Sequence, residues 1–115
     1  MSVYFLVYSN PTAGMEEEYN EWYSNIHLPE VVALEGFKSA QRLQLTKEQM
    51  VAEQPFKYLA LYELEGSDVK AAQKALLNGF ATMNMSSTID LANVHIAIFE
   101  TITDIVRGRK SGFPA

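Results

Sequence analysis

The sequence predicts an α+β domain in which strand, helix, strand, strand, helix and strand follow in order, with a four-stranded antiparallel sheet and both helices on one face. Three observations carry the prediction. Apolar residues run or alternate over four short stretches but recur at spacings of three and four over two others. Turn-forming residues separate most of these stretches. A chain of 115 residues with 48% hydrophobic content is the size of one domain with a packed core.

Val3 to Ser9 is rich in Val, Tyr, Phe and Leu and is closed by Asn10-Pro11, which makes it the first strand. From Gly14 the period changes. Glu16, Glu17 and Glu18 complement a helix dipole as a solvated first turn, and Tyr19, Trp22, Tyr23 and Ile26 define one apolar face. Pro29 disfavours helical geometry at Leu28, so the first helix is expected to end near His27. Pro29 then opens a second short turn, with Gly36 as the stop.

Phe37 to Thr46 reads as the second strand, Lys47 to Pro55 as a protruding loop and Phe56 to Leu64 as the third strand. Ser67-Asp68 is the expected N-cap of the second helix, whose apolar positions are Val69, Ala72, Leu76 and Leu77. Phe80 to Ala92 has no clear period and is a candidate lid or ligand-facing loop. Asn93 to Thr103 is the fourth strand. One domain is therefore expected over residues 1–104, followed by a tail over 105–115 that contains Arg107, Arg109 and Lys110.

Strands apolar on both sides need covering on both. The helices cover one side and no element remains for the other, so the sheets are expected to pair in a homodimer. A net charge of −5 excludes a nucleic-acid partner, which would require clustered Lys and Arg. No apolar stretch is long enough to span a bilayer, and the N-terminal run lacks the basic start and cleavage site of a signal sequence. With no cysteine in the chain, the expected location is the cytoplasm and the expected partners are a small molecule and a second copy.

The run Glu18-Tyr19-Asn20-Glu21-Trp22-Tyr23-Ser24-Asn25-Ile26-His27-Leu28-Pro29-Glu30 resembles the ferredoxin-like dimeric α/β-barrel superfamily, and within it EthD-type proteins. Those proteins carry an aromatic pair, a spacer, a His followed shortly by Pro, and a glycine-led strand entry. Gly36-Phe37, Ala40-Gln41-Arg42 and Phe56 to Glu63 continue the likeness. The resemblance implies a barrel built from two sheets. Its relatives include cyclases, isomerases, lyases, cofactor-free monooxygenases, haem enzymes and plain binding domains, so fold alone does not select an activity.

Tyr19, Tyr23 and His27 are four apart and fall along one helical stripe. His27 is the side chain suited to proton transfer near neutral pH, with Tyr23 placed to orient it or to stabilise developing charge. A helix C-terminus favours its imidazolium and an apolar pocket its neutral form. The competing reading is a histidine that caps its helix. Trp22 reads as packing that shapes a pocket wall, and Tyr58 and Tyr62 share one strand face and can add hydroxyls. Arg42 on a strand needs a carboxylate or an anionic ligand; Glu30, Glu63 or Glu100 is the expected partner. His95 reads as a core or interface histidine, with partnership to His27 as the alternative.

Two separated histidines and no cysteine give no metal-ligand spacing, and there is no phosphate-binding glycine loop or nucleophile elbow. The expected function is therefore a cofactor-independent lyase, isomerase or cyclase acting on an oxygenated hydrophobic molecule. A non-catalytic ligand-binding or sensor module is the alternative, and a cofactor-free monooxygenase or haem-binding relative the third.

Overall fold

The computed structural model describes residues 1–109; the predicted tail beyond Arg109, including Lys110, lies outside the described residues. Four strands, β1 (Val3–Ser9), β2 (Phe37–Gln44), β3 (Tyr58–Leu64) and β4 (His95–Glu100), form one sheet in the order β2-β3-β1-β4. Every neighbouring pair is antiparallel. This is the βαββαβ arrangement expected from the residue periods.

The pleat sorts the side chains. Val3, Phe5 and Ser9 of β1 and Tyr58, Ala60, Tyr62 and Leu64 of β3 are buried, alternating with half-buried neighbours. They join Tyr19, Trp22, Tyr23, Val31 and Ala72 of the helices in one core. Both helical layers therefore cover the same face. The opposite face carries Tyr4, Leu6, Tyr8, Leu59, Leu61 and Phe99 in register across three strands.

The first helical rod departs from expectation. It comprises α1 (Glu16–Trp22), a π-helical turn over Tyr23–His27 and α2 (Leu28–Val32), joined without a break because Tyr23 and Leu28 both keep right-handed helical dihedrals. In a regular helix the ring of Pro29 would strike the carbonyl four residues back. The turn before it is wider: the Leu28 N–H bonds the Tyr23 carbonyl, five residues back. The rod thus passes through His27 instead of ending there. The extra residue also changes which side chains face inward, leaving Ile26 40% exposed and His27 buried.

Gly36, at φ +96°, supplies the left-handed turn into β2. The remaining helix, α3 (Val69–Gly79), is capped as predicted, the Asp68 carboxylate accepting from the Ala71 N–H at 3.0 Å. Asp68→Ala should lower stability by about 1 kcal/mol, read from the urea midpoint; an unmoved midpoint would show the cap contributes nothing.

The segment from Phe80 to Ala92 is not a free lid. Thr12 N–H donates to the Thr88 carbonyl at 2.6 Å, the Thr12 hydroxyl to the Ser87 carbonyl at 2.8 Å, and Asp90 N–H to the Asn10 carbonyl at 3.0 Å. A bridge between Pro11 and Ile89 completes the attachment, and Thr88 and Ile89 are buried. No helix among the described residues is long and apolar enough to cross a membrane.

Candidate functional site

The space between the first helical rod and the sheet gathers Tyr19, Trp22, Tyr23, His27, Arg42, Tyr58 and Tyr62. Helix spacing presents Tyr19 and Tyr23 to the sheet; strand alternation presents Tyr58 and Tyr62 to the helix. Tyr19 and Tyr23 meet edge-on at 5.6 Å between centroids, and Tyr19 lies 5.2 Å from Tyr58. The hydroxyls are anchored: Tyr19 shares a 2.6 Å hydrogen bond with the Ser9 hydroxyl, and the Tyr62 hydroxyl donates to Tyr23 Oη at 3.4 Å. Burial pushes the Tyr23 phenol up to about 12 and raises Tyr62 further, so both are neutral at pH 7.

His27 lies at the rim of this cluster, 7% exposed. Its ring stacks on Trp22 at 4.8 Å and 19° and meets the edge of Tyr23 at 5.1 Å. Burial lowers its pKa, against a smaller upward pull from Glu30, so the neutral imidazole prevails at pH 7. Nδ1 is buried with no hydrogen-bond partner among the described residues, which removes the helix-capping reading. Nor does the Tyr23 hydroxyl bond the imidazole; it is engaged with Tyr62, and Tyr23 positions His27 by ring contact alone.

Trp22 is buried in the core, and its indole N–H donates to the Asn84 carbonyl at 2.7 Å. The Asn84 N–H in turn donates to Glu30 Oε2 at 3.0 Å, while Glu30 Oε1 is buried without a partner. A buried imidazole nitrogen and a buried carboxylate oxygen, both with unused hydrogen-bonding capacity, therefore lie on neighbouring turns.

Arg42 corrects the sequence reading. Its expected carboxylate partners are elsewhere: Glu63 faces away from the helices and pairs with Lys38 at 3.9 Å, Glu30 binds Asn84, and Glu100 lies on the opposite edge strand. Instead Nη2 donates to Asn20 Oδ1 and Nη1 to the Ser24 hydroxyl, both at 2.9 Å. The guanidinium lies 4.6 Å from the Tyr23 ring centre and 5.2 Å from those of Tyr19 and Tyr58. Three aromatic faces and three neutral acceptors, the third being the Asn20 main-chain carbonyl at 3.5 Å, hold the cation without cancelling its charge.

Sequence reasoning missed two contributors. Asn20 joins Arg42 to Tyr58, whose hydroxyl receives the Asn20 amide at 3.0 Å. Glu16, read as a plain solvated residue, accepts from both the Tyr58 hydroxyl and Lys57, and those bonds hold its carboxyl below the usual range. Only the pairing of β3 against α1 reveals this.

His95 stands apart. It is exposed on the far side of the sheet, opposite Tyr8, and is neither a core residue nor a neighbour of His27. A cleft of about 200 Å³ opens beside Asn20, Arg42, Leu43, Gln44 and Tyr58. A larger one, about 490 Å³, lies on the far face and includes His95. His27 lines neither.

A solved structure of an ethyl tert-butyl ether (EthD) family protein from Bacillus halodurans is similar to this fold: TM-score 0.52 at 16% identity, covering 89% of this chain and 100% of that one. No family model and no curated protein matches the sequence. The chain therefore has the EthD-like, ferredoxin-like fold expected from residues 18–42, a four-stranded antiparallel sheet backed by helices on one side.

Proposed function

We propose that the protein is a cofactor-independent enzyme of lyase, isomerase or cyclase type, acting on a hydrophobic, oxygenated molecule of aromatic or polyketide-like character. The observation that carries this reading is a buried imidazole, kept neutral by desolvation and with Nδ1 unpartnered, against the edge of a neutral tyrosine whose ring also packs on a guanidinium with no carboxylate partner.

In this reading neutral His27 removes a proton from a carbon next to a carbonyl, and the C–H electrons move onto the carbonyl oxygen. Arg42 and the Tyr23 hydroxyl meet the enolate charge, the phenol as a donor because its raised pKa keeps it protonated. The imidazolium then returns the proton to another atom, giving an isomer, or to a departing hydroxyl, giving an alkene and water. Trp22, Tyr19, Tyr58 and Tyr62 keep water from the intermediate.

The test is hydrogen–deuterium exchange at the α-carbon of an enolisable aromatic ketone, 2-tetralone, followed by NMR in D₂O. Exchange above the buffer rate supports the enzyme. Saturable binding with no exchange supports the second reading, a binding module, which the open room beside Arg42 favours over a cavity at His27.

The reading also includes a homodimer in the cytoplasm. Tyr4, Leu6, Leu61 and Phe99 line a shallow apolar patch on the uncovered face, with Phe99 56% exposed. Leu61→Lys should convert a dimer to a monomer in analytical ultracentrifugation; a monomeric parent protein, or a variant that sediments as a dimer, refutes the pairing.

A further inference from the structure

The uncovered face of the sheet is not uniformly flat. At the end where β1 finishes and β3 and β4 begin, Tyr8, Leu59 and His95 share a row, and beside them a cleft of about 490 Å³ opens beneath Phe56 and Leu43. This volume is within the roughly 300–1,000 Å³ of small-molecule sites. Leu43, Gln44 and Tyr58 line both this cleft and the smaller one beside Arg42, but the row of Tyr8, Leu59 and His95 stands on the face turned away from the helices, and His27 does not reach it.

The cleft is preformed. Asn10 receives the Lys57 N–H on Oδ1 and donates its amide to the Pro55 carbonyl, both at 2.8 Å, so the segment presenting Phe56 is tied to the end of β1. The neck of the loop is closed by Leu45 N–H on the Lys57 carbonyl at 2.9 Å. Phe56 then stands 5.9 Å from Tyr8 and 6.5 Å from His95, with Tyr8 and His95 5.5 Å apart. Three rings thus make one wall, and aliphatic Leu43, Leu45 and Leu59 surround it.

The polar groups define the ligand. Neither the Tyr8 hydroxyl nor the His95 imidazole has a hydrogen-bond partner among the described residues, so both are free to bond a ligand oxygen. The one cation at the cleft, Lys57, is already paired with Glu16. With Lys57 so engaged, the Tyr8 hydroxyl and the His95 imidazole are the polar groups left to meet a ligand oxygen, and the apolar wall around them suits a neutral one.

We infer that this cleft is a second small-molecule site, which takes a neutral planar aromatic carrying a hydroxyl or carbonyl, stacked on Tyr8, Phe56 and His95. The inference is independent of any chemistry at His27. Pairing through the Tyr4, Leu6, Leu61 and Phe99 patch would use the other end of the same face and leave the cleft as a hollow between copies.

The chain has two histidines, so its imidazole NMR signals number two sets, which a His95→Gln variant assigns. Titration of the full-length protein with 2-naphthol should shift the His95 signals saturably while those of His27 stay in place. Phe56→Ala should weaken binding about tenfold or more, the loss expected for an aromatic stacking partner. Leu43→Ser, a change at a 44% exposed position that keeps the fold if Phe56→Ala does not, should weaken it several-fold. No saturable shift of His95, a shift confined to His27, or undiminished affinity in a folded Leu43→Ser variant overturns the assignment.

Discussion

Replacing His27 by glutamine should slow enzyme-dependent proton exchange by about 10²–10⁴, the usual contribution of a positioned general base, while circular dichroism stays that of the parent. Glutamine keeps a polar, planar head against Trp22 but cannot take up a proton. The pH profile supplies a second arm. Because burial lowers the His27 pKa, the base form is already dominant at pH 7. The rate should therefore rise through a midpoint below 6.5 and be flat through neutrality; a midpoint at or above 6.5 would show a solvated or cation-favouring imidazole instead. Stability follows the same linkage. The unfolded chain binds the proton more readily than the folded one, so the native state should lose stability as pH falls from about 6.5 toward the lowered folded value, and the His27→Gln variant should lose that portion of the dependence.

Trp22→Ala should be the most destabilising of the changes at this site, costing about 3–5 kcal/mol in a domain whose whole stability is of order 5–15 kcal/mol. Trp22 is 6% exposed, stacks on His27, meets Tyr23 edge-on at 5.4 Å and ties Asn84 to the helix through its indole N–H. Trp22→Phe keeps one ring and removes the hydrogen bond together with part of the buried volume, and should cost less than the alanine change, about 1–3 kcal/mol. Loss of the indole also rehydrates the imidazole, so in Trp22→Ala the His27 pKa should climb back toward 6.5 in an NMR titration. A variant that unfolds at the parent's urea concentration, or a His27 titration that does not move, would show that Trp22 neither holds this wall nor shields the ring.

The two readings that failed most clearly have physical causes. Pro29 suggests a helix end because, in a regular helix, proline strikes the preceding turn; one π turn removes the clash, and sequence period alone does not reveal it. That turn is also what withdraws Ile26 to the surface and brings His27 in. Arg42 suggested a carboxylate because a half-buried cation needs compensation. In place of an acid it has three tyrosine rings from two distant segments, with Asn20 and Ser24 as acceptors, which hold the cation and leave its charge uncancelled. His95 lies among aliphatic residues in the chain yet is exposed, because β4 is an edge strand and its first residue points away from the helices.

What the sequence determined by itself was the order of elements, the shared face of Tyr58 and Tyr62 on β3, the Asp68 cap, and the set of aromatics that meet beneath the first helix. Each follows from periods of 2 and 3.6 and from local capping, which act over a few residues. Only the tertiary structure decided that Arg42 is left without an acid, that Glu16 holds Tyr58, that the segment from Phe80 to Ala92 is tied down at Asn84 and from Ser87 to Asp90, and that a second hollow lies behind the sheet. Those depend on which distant segments the sheet register brings together. Registers and contacts between distant segments follow from how the whole core closes, and no local pattern records them.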